Sequence, residues 1–171
     1  MYTTEHHPQF FTATILGWKH LLAEDKYKQI LLDSLGFLVK EKRIIINSFV
    51  IMSNHIHLIW QAINGYTPQP VQQSFLKYTA QQIKADLQTN NPALLKEFQV
   101  NAADREFQFW ERNPLSIDLF SHEVYMQKLD YIHNNPVAAG LCLLAEEYYY
   151  SSARFYETLV DDFGFLTHWR E

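Results

Sequence analysis

Apolar residues recur at helical spacing in the first quarter of the chain. Between Asp25 and Lys42 they stand three or four positions apart, at Tyr27, Ile30, Leu31, Leu35 and Leu38. This spacing places them on one face of an amphipathic helix. We therefore predict a first helix over 25–42, with Gly36 as a weak point inside it.

Three segments around this helix have the aromatic and β-branched content that is typical of strands. The first is Phe10 to Trp18, and the other two are Arg43 to Met52 and His55 to Gln61. Ser53 and Asn54 form a short, turn-like link, which suits an antiparallel hairpin. A single bent strand fits this pattern nearly as well.

The second half of the chain contains two further helical patterns. The segment 71–88 has one apolar face made by Leu76, Thr79, Ile83 and Leu87. The other segment, 121–141, starts with Ser121 as a plausible N-cap and carries Glu123 in its first turn, where the helix dipole favours an acid. We expect this third helix to end or kink at Pro136, with Gly140 as the C-cap. Between the two helices, 107–121 predicts two short strands or one strand with a loop.

The order of these elements defines the expected fold class. It reads strand, helix, strand, strand, helix, short strands, helix, which indicates an α+β protein. We predict a ferredoxin-like, or split βαβ, antiparallel sheet with helices packed on one face. The length of 171 residues suits a single domain over 1–171.

Composition and charge narrow the classes of function. The apolar share of 47% predicts a folded protein, while no apolar run is long enough to cross a bilayer and the first residues lack the pattern of a leader. We therefore expect a cytoplasmic protein without a membrane partner. The single cysteine, Cys142, excludes an internal disulfide and a cysteine-rich zinc site. The net charge of −5 argues against indiscriminate nucleic-acid binding but leaves room for a local basic groove.

Candidate chemistry starts with the stretch FVIMSNHIHLIWQ, residues 49–61. Because alternate residues of a strand share a face, His55 and His57 point to one side and Ile56 to the other. Two such imidazoles can converge on a metal ion. Taken alone, the motif is explained equally well by two structural histidines at the edge of the core, whose ring nitrogens have hydrogen-bond partners.

The last predicted helix carries a second polar constellation. Gln127, Tyr131 and Asn135 follow one another at intervals of four and form one stripe, with Lys128 beside them. An amide oxygen from this stripe is a competent ligand for a hard divalent ion and would complete the histidine pair. His133 lies on a different side of the helix, and we do not predict it to be a ligand.

Several motifs in order resemble one known family. His55-Ile56-His57 in MSNHIH matches the histidine, hydrophobic, histidine motif of the single-tyrosine HUH transposases, and YIHNNPVAAGL at 131–141 resembles the segment that carries their nucleophile. FWERNP around Trp110 and the C-terminal YYYSSARFY resemble further stretches of the REP-associated tyrosine transposase group. The resemblance covers roughly Phe10 to Tyr156.

The resemblance implies a function and a set of site residues. Tyr131 would be the nucleophile, and His55, His57 and Asn135 would hold Mg²⁺ or Mn²⁺. The activity implied is cleavage and strand transfer of single-stranded DNA next to hairpins through a 5′-phosphotyrosine, on the HUH endonuclease fold. The resemblance leaves open whether the protein is a monomer or a homodimer, and therefore whether Tyr131 serves its own subunit or a partner.

The DNA contacts are a separate prediction. Candidate phosphate contacts are Lys77, Lys84, Arg105, Arg112 and Lys128, and Trp110 is a candidate for stacking on a base. Packing in the core is an equally good role for Trp110. Two other functions stay open from the sequence: a module that binds hairpin DNA without cutting it, and a metal-dependent nuclease that uses water as its nucleophile.

Overall fold

A four-stranded antiparallel sheet organises the protein. The computed structural model describes all residues, 1–171. The strands are β1 (Gln9–Thr14), β2 (Ile44–Ile51), β3 (His55–Ala62) and β4 (Leu115–Asp118), in the spatial order β2-β3-β1-β4. The helices are α1 (Asp25–Lys40), α2 (Pro68–Asn90), α3 (Pro92–Lys96), α4 (His122–Ala138) and α5 (Ala153–Thr158).

This strand order is the ferredoxin-like arrangement that the sequence predicts. The two central strands, β1 and β3, pair with each other, and β2 and β3 form the expected antiparallel hairpin. Helices α1 and α2 supply side chains such as Leu31 and Phe75 to the main core. That core also contains Ile56 and Leu58 of β3, so α1 and α2 cover one face of the sheet. The α+β fold class is confirmed.

Helix α4 covers part of the opposite face. Its buried residues Leu129 and Ile132 form a second, smaller apolar cluster with Phe10 of β1, Val50 of β2 and Ile59 of β3. These strand residues alternate with those of the main core, as the two-residue repeat of a strand requires. The second cluster fixes α4 against the strands that carry the histidine motif.

Helix α4 begins where the sequence predicts but ends later than predicted. The Ser121 hydroxyl accepts a hydrogen bond from the Val124 N–H at 3.2 Å, which confirms the N-cap. The helix does not end at Pro136 but continues to Ala138. One missing N–H so close to the end leaves little helix to disrupt, and Gly140 then turns the chain at φ 75°. The Leu141 N–H donates to the Pro136 carbonyl at 3.0 Å and closes this turn.

The structure also corrects two strand predictions. The first strand ends at Thr14 rather than at Trp18, since the chain turns through Gly17 and Trp18, whose φ angles are 65° and 58°. In the segment 107–121 only Leu115–Asp118 forms a strand, and Phe107 and Trp110 make isolated bridges.

The outer edge of β2 is paired with residues from the end of the chain. The Ser152 N–H donates to the Phe49 carbonyl at 3.0 Å, and the Thr167 N–H donates to the Ile46 carbonyl at 2.9 Å. The side-chain amide of Asn47 also donates to the Thr167 carbonyl at 3.0 Å. The last residues therefore close one edge of the sheet, whereas β4 forms the other edge with its side chains exposed. None of the helices has both the length and the apolar character required to span a membrane.

Candidate active site

Strand β3 places His55 and His57 on the face that α4 covers. Their neighbour Ile56 is fully buried in the main core on the other face, as the alternation predicts. The two imidazole rings lie 4.7 Å apart between centroids, and His57 is only 5% exposed. The structure therefore brings the pair together in a sheltered position.

Each histidine is oriented by a hydrogen bond at Nδ1. The Nδ1 of His57 lies 2.6 Å from the Thr12 hydroxyl oxygen, and Thr12 is the residue opposite His57 in the β1–β3 ladder. The Nδ1 of His55 lies 2.7 Å from the Oδ1 of Asn54. When Nδ1–H donates to these oxygens, the lone pair of each ring is on Nε2, the arrangement of a metal-binding histidine with a partner that orients it.

The electrostatics of the site keep both imidazoles neutral at physiological pH. Burial lowers the pKa of His57 to about 3, and the charges of His55, when that ring is protonated, and of Lys128 act in the same direction. Burial also lowers the pKa of His55, although a hydrogen bond with Asn135 opposes that effect. Neutral imidazole is the form that binds a metal, because its free nitrogen carries a lone pair.

Helix α4 brings three polar residues to the histidines. The Tyr131 ring lies 5.2 Å from the His57 ring, and its side chain is half exposed. Asn135 lies close enough to His55 for its side chain to act on the pKa of that imidazole. Lys128 holds its ammonium group 4.7 Å from the Phe10 ring and 5.8 Å from the Tyr131 ring. The packing of α4 on the second apolar cluster turns this side of the helix toward β3.

Of the two amides that the sequence left open, only Asn135 reaches the histidines. Gln127 lines a cleft of about 550 Å³ between α4 and the C-terminal segment, together with Asp130 and Glu157. Tyr131 stands between the two regions, since it contacts His57 and also borders this cleft. The predicted stripe of Gln127, Tyr131 and Asn135 therefore divides between two surfaces.

These donors fit a divalent cation. Two imidazole nitrogens and the amide oxygen of Asn135 form a mixed nitrogen and oxygen set. Imidazole is a ligand of divalent transition metals, and the amide oxygen suits the hard ions Mg²⁺ and Mn²⁺. The chain contains no group of three or more His, Cys, Asp or Glu side chains placed to hold a metal. An ion at this site would therefore depend on the amide for its third protein ligand.

Sequence reasoning missed a buried network beneath α4. The His133 Nε2 lies 2.8 Å from the Ser152 hydroxyl, which donates to the Ser48 hydroxyl at 3.1 Å and accepts from the Phe49 N–H at 3.0 Å. Burial lowers the pKa of His133 to about 4. His133 is thus not with the other two histidines, as expected, but ties α4 to β2 and to the C-terminal segment.

The orienting partners Thr12 and Asn54 were missed as well. Asn54 precedes the motif directly and could have been suspected from its position in a turn. Thr12 lies on another strand, and only the strand register reveals it.

Most of the predicted DNA contacts lie away from the histidines. Lys77 and Lys84 belong to α2, on the other face of the sheet, and the Lys84 ammonium lies 5.1 Å from the Phe107 ring. Arg105 and Arg112 both form ion pairs with Asp104, at 2.8 and 3.1 Å. Only Lys128 stands beside the histidine pair.

The prediction that Trp110 stacks on a base is wrong. Its side chain is 6% exposed and belongs to the main core. The indole N–H donates to the Thr79 hydroxyl at 3.1 Å, and the ring packs near Phe75. Trp110 therefore serves packing, and no base can reach its face.

Comparison with known proteins shows a likeness in fold but none in sequence family. No model of a known protein family matches the chain, and no curated protein matches it. Among solved structures it is similar to a REP-associated tyrosine transposase bound to a REP hairpin, with a TM-score of 0.66 and 18% identity over 98% of this chain and 89% of that chain. At this identity the likeness establishes the fold, an antiparallel α+β sheet with helices.

Proposed function

We propose that this protein is a tyrosine-dependent transposase that cuts and rejoins single-stranded DNA next to hairpins. The observation that carries the proposal is the meeting of Tyr131 with His57 and of Asn135 with His55, across the interface of α4 and β3. A solved structure with a similar fold is that of a tyrosine transposase bound to a REP hairpin, which supports the class of substrate.

In this proposal His55, His57 and Asn135 hold a divalent metal ion, Mg²⁺ or Mn²⁺. When bound, the ion supplies Lewis acidity that polarises the scissile phosphate and offsets its charge. The protein's own contribution is to hold the ligands ready: Thr12 and Asn54 orient the rings, and burial keeps them neutral.

Tyr131 is the nucleophile in this proposal. Its side chain is half exposed, so a DNA strand that lies over the histidines can reach it. A bond forms between the phenolic oxygen and phosphorus, and the bond from phosphorus to the 3′ oxygen breaks. The phenol loses one proton and the departing 3′ oxygen gains one, so charge is balanced. The 5′-phosphotyrosine conserves the energy of the broken bond, which allows a second 3′ end to be joined by reversal.

Lys128 has a distinct part in this mechanism. Its ammonium group lies near both the Phe10 and Tyr131 rings, at the place where a phosphate would meet the nucleophile. A fixed positive charge there attracts the DNA backbone and stabilises charge that develops at phosphorus. It also supplies local positive charge in a protein whose net charge is −5.

The test is formation of a covalent protein–DNA adduct. Purified protein is incubated with a labelled single-stranded hairpin oligonucleotide and Mn²⁺ or Mg²⁺, and the products are separated by denaturing electrophoresis. We expect a metal-dependent shifted band that Tyr131→Phe and His57→Ala both lack. Tyr149→Phe is the matched control, since Tyr149 is 55% exposed against 50% for Tyr131, and it should retain the adduct.

The outcomes separate this proposal from its alternatives. Hairpin binding without an adduct would indicate a recognition module. Cleavage to a free 5′-phosphate without an adduct, unchanged in Tyr131→Phe, would indicate a nuclease that uses water. An adduct that persists in Tyr131→Phe would reject Tyr131 as the nucleophile.

A further inference from the structure

Trp18 is exposed in a way that packing does not explain. Its side chain is 64% exposed, whereas Trp60 and Trp110 are 3% and 6% exposed and belong to the core. Trp169 is half-buried. An isolated exposed tryptophan contributes little to stability, because most of its apolar surface stays in water.

The backbone at Trp18 is unfavourable for a bulky side chain. The chain turns through Gly17 and Trp18 with φ angles of 65° and 58°, and the Trp18 N–H donates to the Ile15 carbonyl at 2.9 Å. Glycine and asparagine accept this left-handed conformation, but a large residue is an outlier there. Since Trp18 improves neither the turn nor the core, its presence points to a role outside folding.

The turn that carries Trp18 is tied to the histidine motif. The Asn54 side-chain amide donates to the Trp18 carbonyl at 3.5 Å, while its Oδ1 contacts Nδ1 of His55 at 2.7 Å. The Ile15 N–H donates to the Asn54 carbonyl at 2.8 Å. Trp18 is therefore held at the start of β3 by the same residue that orients His55.

We propose that Trp18 is a stacking platform for one unpaired base of the DNA strand that passes the histidines. The inference rests on the proposed function and adds a contact to a base. An exposed indole face stacks on any base, which suits a strand held mainly through its backbone. The flanking residues Gly17, Lys19 and His20 add no apolar side chain, so this turn fits one flat ring better than the apolar patch of a protein partner.

Tryptophan fluorescence can test this contact directly. The titration uses a hairpin oligonucleotide with a single-stranded extension and the Tyr131→Phe protein, so that no covalent product forms. Because Trp18 is the one tryptophan with a largely exposed ring, we expect DNA to quench its emission. Trp18→Asn should abolish the quenching and weaken binding by about 5- to 150-fold, the range for one base on an aromatic ring.

Two variants separate stacking from a structural role. Asparagine tolerates the left-handed backbone, so Trp18→Asn should not lower the melting temperature, and Trp18→Phe should recover part of the lost affinity. Trp110→Phe is the control, since it removes a buried tryptophan and should leave both quenching and the Kd unchanged.

The result can overturn this inference without touching the proposed function. Unchanged Kd in Trp18→Asn, or unquenched emission at saturating DNA, would reject the stacking role even when wild-type protein forms its adduct. Quenching of the Tyr131→Phe protein by DNA, together with lost quenching and weaker binding once Trp18→Asn is added, would support the stacking role even when wild-type protein forms no adduct. The transferase proposal alone would then fail.

Discussion

Replacing Thr12 by valine tests whether the strand register prepares His57 to bind a metal. The two side chains have nearly the same shape, so the substitution removes only the hydroxyl that lies 2.6 Å from the His57 Nδ1. Without that partner, nothing on β1 holds the proton on Nδ1 and the lone pair on Nε2. We expect weaker metal binding although no proposed ligand has changed.

The structure sets the size of the effect. Loss of an orienting partner typically lowers metal affinity about 10- to 100-fold, which corresponds to about 1.4 to 2.8 kcal/mol. Because His57 is only 5% exposed, a hydrogen bond to water cannot readily replace the one that its Nδ1 loses. The unpaired nitrogen should also lower the free energy of unfolding by about 1–3 kcal/mol.

The assay is isothermal titration with Mn²⁺, accompanied by urea denaturation of the metal-free protein. Thr14→Val is the matched control, because Thr14 faces His55 across the ladder while the Nδ1 of His55 takes Asn54 as its partner instead. Equal Mn²⁺ affinity in wild type and Thr12→Val would refute the reasoning. A similar loss in Thr14→Val would show that the effect is not specific to the hydrogen bond.

Three further substitutions probe the positive charge of Lys128, the buried hydrogen-bond network at Ser152 and the stability of the fold at acid pH. Lys128→Gln should weaken DNA binding and reduce the slope of log affinity against log salt by about 0.7, the value for one phosphate on a single strand, whereas Lys77→Gln on α2 should do so less. Ser152→Ala should lower the free energy of unfolding in urea by about 1–3 kcal/mol, since its fully buried hydroxyl leaves partners unpaired. A hydrogen bond from Tyr27 holds the pKa of Asp86 below its usual range. The charged carboxylate therefore stabilises the fold at pH values above about 3.9, the pKa of aspartate in an unfolded chain. Wild type should therefore lose its thermal-denaturation advantage over Asp86→Asn as the pH falls below about 4.

The sheet could be predicted because its strands have clear patterns. Ile56 is fully buried between the two histidines in sequence. This alternation of apolar and polar residues assigns His55 and His57 to one face of the strand. The errors in the element boundaries fall where two local signals in the sequence point to different ends. Gly17 could have signalled that β1 stops before Trp18. Pro136 suggested a break, yet it lies so close to the end of α4 that the helix continues past it.

The site could be predicted only in part, because sequence does not give the rotation of a helix against a sheet. Gln127 and Asn135 are both four residues from Tyr131, and the packing of Leu129 and Ile132 decides which amide meets His55. The prediction that Trp110 stacks on a base failed for a related reason, because an aromatic residue in a polar segment can be either buried or exposed. The metal, the nucleophilic role of Tyr131 and the phosphate contacts stay predictions.

The closed edge of β2 has a consequence for the order of events during synthesis. Ser152 bonds to Ser48 across 104 positions, and Thr167 bonds to Asn47 across 120. Contacts of such long separation form late and slowly, and a chain leaves the ribosome from its N-terminus. Strand β3, which carries the histidines, can therefore exist well before the bond between His133 and Ser152 fixes α4, and with it Tyr131, in place. In the proposed mechanism, a nascent chain would therefore present His55 and His57 before Tyr131 is in position, and DNA cutting would begin only after Ser152 and Thr167 have emerged.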